Sequence, residues 1–184
     1  DNTLAYAGAS YIYKRTGSNW DQEAYLKASN ANANDYFGWS VDLSGGTAIV
    51  GAIRESSNQT TITNGTTSSA DNSALWAGAT YVYKRTGNTW VQEAYLKASN
   101  AGAQDSFGKS VAISGDTVIV GADGESSNQT TITNGTTSSA DNSFIYAGAS
   151  YIYKRTGTAW AQEAYLKASN ADGSNAGAPD SFGK

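Results

Sequence analysis

The chain repeats itself, and the repeat restricts its possible folds more than any other feature. Gly8–Gly17 (GASYIYKRTG) returns from Gly78 as GATYVYKRTG and from Gly148 as GASYIYKRTG, 70 residues apart each time. Trp20, Trp90 and Trp160 keep the same spacing, as do three QEAYLKASN segments beginning at Gln22, Gln92 and Gln162. A third block, Phe37–Ser44 (FGWSVDLS), returns as FGKSVAIS from Phe107. Its next copy opens at Phe182, after a linker lengthened by five residues. Such a repeat holds one supersecondary unit, which buries its apolar surface by stacking on its neighbours. The 184 residues hold about 2.6 units, which predicts a part of a larger propeller or repeat array.

Each unit reads as four short strands. Phe107–Ser114 alternates around Val111 and Ile113, and Gly115-Asp116 forms a tight turn. Thr117–Ala122 is a nearly continuous apolar run, as in a strand buried on both faces. Ala149–Thr156 alternates aromatic and β-branched residues. Trp160–Ser169 places Trp160, Gln162, Ala164, Leu166 and Ala168 on one face and Ala161, Glu163, Tyr165 and Lys167 on the other. No segment has helical periodicity or helix caps. The predicted fold class is all-β, with β-propeller blades of four antiparallel strands. The predicted boundaries are a partial blade at 1–35, blades at 36–105 and 106–180, and the start of another at 181–184. A β-solenoid is the runner-up, but its repeats are usually much shorter.

Composition removes whole classes of chemistry. There is no Cys, His or Met, and Pro179 is the sole proline. That excludes a disulfide framework, a Cys-ligated metal, a Ser-His-Asp triad and an imidazole base. No carboxylate pair recurs at a spacing suited to acid–base work, and neither G-x-S-x-G nor a P-loop is present, so no enzyme is expected. A net charge of −4 argues against a nucleic-acid partner, and no apolar run is long enough to span a membrane as a helix. An acidic, cysteine-free, Thr/Ser/Asn/Gly-rich chain suits a secreted or cell-surface protein.

The repeated residues resemble a known family. Phe37-Gly38 and Phe107-Gly108, then Val50-Gly51-Ala52 and Val120-Gly121-Ala122, then Gly-Ala-x-Tyr-Val/Ile-Tyr, are similar to FG-GAP repeats, and most to their bacterial branch. The resemblance covers the whole chain except the long loop within each unit. It implies blades like those of the integrin α-subunit propeller, an extracellular location, and adhesion or ligand binding rather than catalysis. The chain departs from integrin-type blades at one place. The Asp-rich calcium loop between the first two strands is replaced by Ser44-Gly45-Gly46 or Ser114-Gly115-Asp116, too few oxygen ligands for Ca²⁺.

Four features compete as sites. The loop Glu55–Ser73 is repeated without a change at Glu125–Ser143, although loops usually drift faster than strands. Its Asn64-Gly65 turn between Thr-rich arms predicts a protruding hairpin, with Thr60–Thr63 paired to Thr66–Ser69. Thr60, Thr61, Thr63, Asn64 and Thr66, with Thr130, Thr131, Thr133, Asn134 and Thr136, are the candidate binding residues, for a partner or for a neighbouring blade; a recently duplicated, solvated loop is the plainer alternative. The opening Glu55 and Glu125 are expected to be solvated. Asp35, Asp105 and Asp180 precede each Phe-Gly by two residues; bonding turn amides is the simpler role, and holding Ca²⁺ the weaker alternative. Lys14-Arg15, Lys84-Arg85 and Lys154-Arg155 are expected to pair across strands with Glu23, Glu93 and Glu163. Trp20, Trp90, Trp160, Phe37 and Phe107 are assigned to blade packing. Trp39 and Trp76 stand opposite Lys109 and Tyr146 in the next unit and are expected to be exposed. The leading functional reading is a module for adhesion, protein interaction or surface assembly, with a protein or further copies of the repeat as partner. The alternative is a carbohydrate-binding propeller with shallow pockets between blades, each holding an exposed aromatic and a few amides.

Overall fold

The computed structural model describes residues 3–172 and 181–184, so Asp180 lies outside the described residues. Twelve strands occur in the described residues: β1 (Ser10–Thr16), β2 (Asn19–Leu26), β3 (Phe37–Ser44), β4 (Thr47–Ala52), β5 (Thr63–Asn64), β6 (Ala79–Thr86), β7 (Thr89–Leu96), β8 (Ser110–Ser114), β9 (Thr117–Ala122), β10 (Thr133–Asn134), β11 (Ala149–Thr156) and β12 (Ala159–Leu166). They form three antiparallel sheets: β1-β2, then β3-β4-β6-β7-β5, then β8-β9-β11-β12-β10. The four-stranded meander expected of each blade is present, and its outer edge gains a short fifth strand.

That fifth strand corrects the hairpin expected in the long loop. Thr63 and Asn64 pair with Tyr95 and Ala94 of β7, not with Thr66–Ser69. The outer strand offers unpaired backbone groups that the loop can use. The Gly65 N–H donates to the Glu93 carbonyl at 2.7 Å, and the Gln92 amide donates to the Thr67 carbonyl at 3.0 Å.

Apolar surface is buried between the sheets. One cluster joins Leu26 of β2 to Phe37, Val50, Tyr81, Tyr83 and Tyr95; another joins Ile49, Val82 and Leu96 to Phe107, Val118, Tyr151 and Trp160. Phe37 meets Tyr81 and Tyr83 edge-on at 5.3 and 6.2 Å, and Phe107 meets Tyr151 and Tyr153 at 5.3 and 6.0 Å. Edge-to-face contact suits aromatic quadrupoles. Among the described residues the first sheet has a neighbour on one side only, and its Tyr11 and Tyr13 are 53% exposed whereas Tyr81 is wholly buried. Trp20 is exposed for the same reason, while Trp160, Phe37 and Phe107 pack as assigned and Trp90 is half-buried.

A bulge overturns the alternation expected in the last strand. Tyr165 and Lys167 were expected to face away from Trp160 and Gln162, yet all four are buried. Against β11, Tyr153 pairs with Gln162 and Ile152 with Ala164, so Glu163 bulges out and the alternation changes phase. The equivalent bulge in β2 and β7 aims Glu23 and Glu93 at the next sheet. Arg85 and Trp90 Nε1 bond Glu23, and Arg155 and Trp160 Nε1 bond Glu93, at 2.5–3.0 Å. These ion pairs therefore join blades rather than strands of one hairpin.

Candidate functional site

The Phe-Gly and Gly-Ala segments meet at each seam between sheets. Gly8, Gly78 and Gly148 form single parallel bridges with Phe37, Phe107 and Phe182. Gly108 has φ +91°, and a Cβ there would stand 2.6 Å from the Ala79 carbonyl oxygen. Only glycine admits that approach. The seam pins the start of the first strand of one unit beside the start of the third strand of the unit before it. The same ends, with the ends of the second strands, make up one rim of the molecule.

Aromatic residues on this rim are held in unusual backbone geometry. Tyr6, Trp76 and Tyr146 occupy equivalent positions and all have φ between 54° and 59°; Tyr36 has φ 56°. A bulky residue in the left-handed region costs about 1–3 kcal/mol, which the surroundings must offset. Here the Trp76 N–H donates to Ser56 Oγ at 3.1 Å and the Ser106 N–H donates to the Trp76 carbonyl at 3.1 Å. The Tyr36 N–H binds the Tyr6 carbonyl in the same way at 3.0 Å. Each ring is thus aimed outward by a sutured backbone.

Between the second and third sheets the rim opens into a cleft of about 390 Å³. Trp39, Arg54 and Trp76 line it from one unit, and Gln104, Lys109, Asp123 and Tyr146 from the approach to the next. Trp39 and Trp76 are 51% and 37% exposed, as the sequence suggested. The Arg54 guanidinium lies 4.7 Å from the Tyr36 ring and 4.5 Å from the Trp76 ring. Lys109 stands over Trp39 at 5.2 Å and pairs with Asp123 at 3.4 Å. The Tyr146 hydroxyl and Gln104 Oε1 are 3.1 Å apart. Flat rings, fixed cations, a carboxylate and an amide are the equipment of a binding site.

The sequence-derived candidates fall elsewhere. Thr60, Thr61, Thr66, Thr130, Thr131 and Thr136 are exposed, while Thr63 and Thr133 are half-buried and their hydroxyls accept from Gln59 and Gln129 at 2.8 and 2.7 Å. Asn64 grips the backbone of Trp160: its Oδ1 accepts at 2.7 Å and its Nδ2 donates at 3.3 Å. Asn134 is exposed. Thr60, Thr61, Asn64 and Thr136 are brought together with Trp160 around a separate cleft of about 360 Å³. Asp35 and Asp105 accept turn amides from Asn32 and Gly102 at 2.7 Å. Burial pushes their carboxyls up, to about 6 and about 7, with those turn bonds opposing the rise. Among the described residues no three acidic side chains stand together as a metal-holding group.

Glu55 and Glu125 are the clearest correction, since both are wholly buried rather than solvated. Lys97 Nζ donates to Glu55 Oε2 at 2.9 Å and to the Ser57 and Gly78 carbonyls at 2.8 and 2.6 Å. Lys167 meets Glu125 at 2.7 Å. Burial pulls the Lys97 pKa down, against the pull of Glu55. The recurring Lys of QEAYLKASN and the first residue of the unchanged loop form a buried pair. Their shared 70-residue spacing was the available signal. Arg54 was also missed, because its counterpart is Gly124 and the repeat carried no hint of it.

Among curated proteins, none matches this chain. The family model described as FG-GAP repeat matches residues 20–83 and 90–153, two segments offset by one repeat. Together they span most of the chain, from a last strand through the seam to the third strand of the following sheet. With the Phe-Gly to Gly-Ala seams in place between its sheets, the chain belongs to the FG-GAP repeat family.

Proposed function

We propose that the chain is a non-enzymatic, extracellular or cell-surface module for adhesion, and that its ligand meets the aromatic rim. Binding and adhesion are general properties of FG-GAP repeats. One observation carries the assignment to the rim: this is where the two complete units differ most in chemistry. Tyr36, Trp39, Ile53, Arg54 and Trp76 stand against Ser106, Lys109, Asp123, Gly124 and Tyr146. Elsewhere the loop is unchanged and most strand substitutions are as mild as Val82 against Ile152; Asp42 against Ala112 and Gly46 against Asp116 are isolated changes of charge. A scaffold held constant beneath a chemically diverse rim suits recognition. The long loop then serves blade-to-blade packing, through the Asn64 side chain, and the ligand docks on the rim.

The test is binding of labelled chain to the surfaces of the cells that produce it and of their neighbours, read by flow cytometry. Trp76→Ala with Tyr146→Ala should weaken binding by at least about tenfold, since exposed aromatic anchors dominate interfaces. Thr60→Ala with Thr61→Ala should leave it unchanged. The opposite pattern moves the interface to the loop and refutes the reading.

A further inference from the structure

We infer that the cleft between the second and third sheets takes an acidic glycan, a chain of hexuronate residues. The inference rests on the reading of the rim as the binding face and names the ligand class for that face. Arg54 is the central observation. Its guanidinium lies over the Tyr36 and Trp76 rings, 4.7 and 4.5 Å from their centroids, and makes no hydrogen bond to another described residue. A half-buried guanidinium with no hydrogen-bond acceptor among the described residues is a ready site for a carboxylate, because its planar fork of donors matches two carboxylate oxygens. Its neighbours in charge are Lys109, already paired with Asp123, and Asp123 itself. Among the described residues the cation in the cleft without an acidic partner is therefore Arg54, and one anion satisfies it.

The remaining groups select the body of the ligand. Trp39, Trp76 and Tyr146 present exposed rings, onto which the C–H face of a sugar can lie. Around them stand an acceptor-only carboxylate, Asp123, and the Gln104 amide, whose Nε2 still has donors to offer. A ligand that both donates and accepts around a ring fits this mixture, and a polyol does so. An extended peptide fits less well, because the rim backbone is occupied. The Gln104 N–H binds the Leu75 carbonyl at 2.8 Å and the Ser106 N–H binds the Trp76 carbonyl at 3.1 Å. Among the described residues no strand edge remains in the cleft for a peptide to extend.

The test uses tetragalacturonate and its fully methyl-esterified counterpart, which keeps the rings and removes the charge, titrated into the chain by calorimetry. The acid should bind at least about tenfold tighter than the ester, the weight of one charge-assisted hydrogen-bonded pair. Arg54→Gln should abolish that difference while leaving ester binding intact, and Trp76→Ala should weaken both. Circular dichroism confirms that the variants are folded. Equal affinity for acid and ester, or an acid affinity untouched by Arg54→Gln, overturns the inference, and so does failure of both tetramers to bind. If the tetramers fail while Trp76→Ala with Tyr146→Ala still abolishes cell-surface binding, the ligand class is wrong and the rim stands. If the tetramers bind as expected while cell-surface binding ignores the rim, the adhesion reading fails and the glycan site stands.

Discussion

Replacing Lys97 by Met tests the buried pair beneath the long loop. Lys97 and Glu55 are both shielded from water, and Glu55 also accepts from Asn30 Nδ2 at 3.1 Å and the Ser57 N–H at 3.2 Å. Removing the ammonium strands a carboxylate in low dielectric, which costs about 3–5 kcal/mol. It also leaves the Ser57 and Gly78 carbonyls without a donor, at about 1 kcal/mol or more each. The sum, about 5 kcal/mol or more, is comparable with the whole stability of many domains. Lys27 is the internal control. It is half-buried, and its Nζ donates to the Gly8 carbonyl at 2.5 Å with no carboxylate partner among the described residues. Lys27→Met should therefore cost about 1 kcal/mol. Urea unfolding of both variants, with midpoint and slope fitted, gives the comparison. Pairing Lys97→Met with Glu55→Leu should recover much of the loss, since apolar replacement of a buried pair is often neutral. If Lys97→Met costs no more than Lys27→Met, the pair behaves as a surface bridge and the reasoning fails.

Three other outcomes are expected. Gly108→Ala should cost roughly 3 kcal/mol or more, through its φ of +91° and the carbonyl 2.6 Å from the new methyl, whereas Gly45→Ala, at φ +58° with open space around it, should cost about 1 kcal/mol; thermal melts compare them. Asn64→Ala removes two bonds to Trp160 and should cost about 1–2 kcal/mol, while Asn134→Ala in the identical loop should cost under about 0.5 kcal/mol; equal losses in urea unfolding would show that the Trp160 contact is immaterial. Burial raises the Asp105 carboxyl from 3.8 to about 7, so the folded state holds its proton over a range where the unfolded chain has lost it. This group's contribution is full below about pH 4 and falls as pH rises to about 7, by about 4 kcal/mol at most. Asp105→Asn should remove that slope, and a stability difference from the parent that is constant between pH 4 and 8 would refute it.

The blade was legible because the repeat set its length and the strand alternation its four members. The seam residues were legible as motifs, and the structure adds their reason: a glycine on one unit admits a phenylalanine backbone from the next. The loop misled for a physical reason. Asn64-Gly65 carries a strong local hairpin signal, but the open edge of β7 offered a better partner, and non-local pairing leaves no mark on local sequence. Glu55 misled likewise, since a carboxylate among Ser and Asn reads as solvated until Lys97, 42 residues on, is seen beneath it. The rim was half visible. Trp39 and Trp76 stood out because the repeat did not keep them, while their convergence with Arg54 depends on strand ends from two sheets meeting at one edge.

The single-residue bridges at the seams have an evolutionary consequence. Gly8 with Phe37, Gly78 with Phe107 and Gly148 with Phe182 join neighbours through main-chain atoms and a few invariant side chains. A unit added or lost by recombination between such similar stretches therefore arrives already compatible with whatever flanks it. Changes on the rim leave that joint untouched. Copy number and recognition can then be selected separately, and a lineage carrying this architecture can lengthen the array or retune its face without solving the folding problem again.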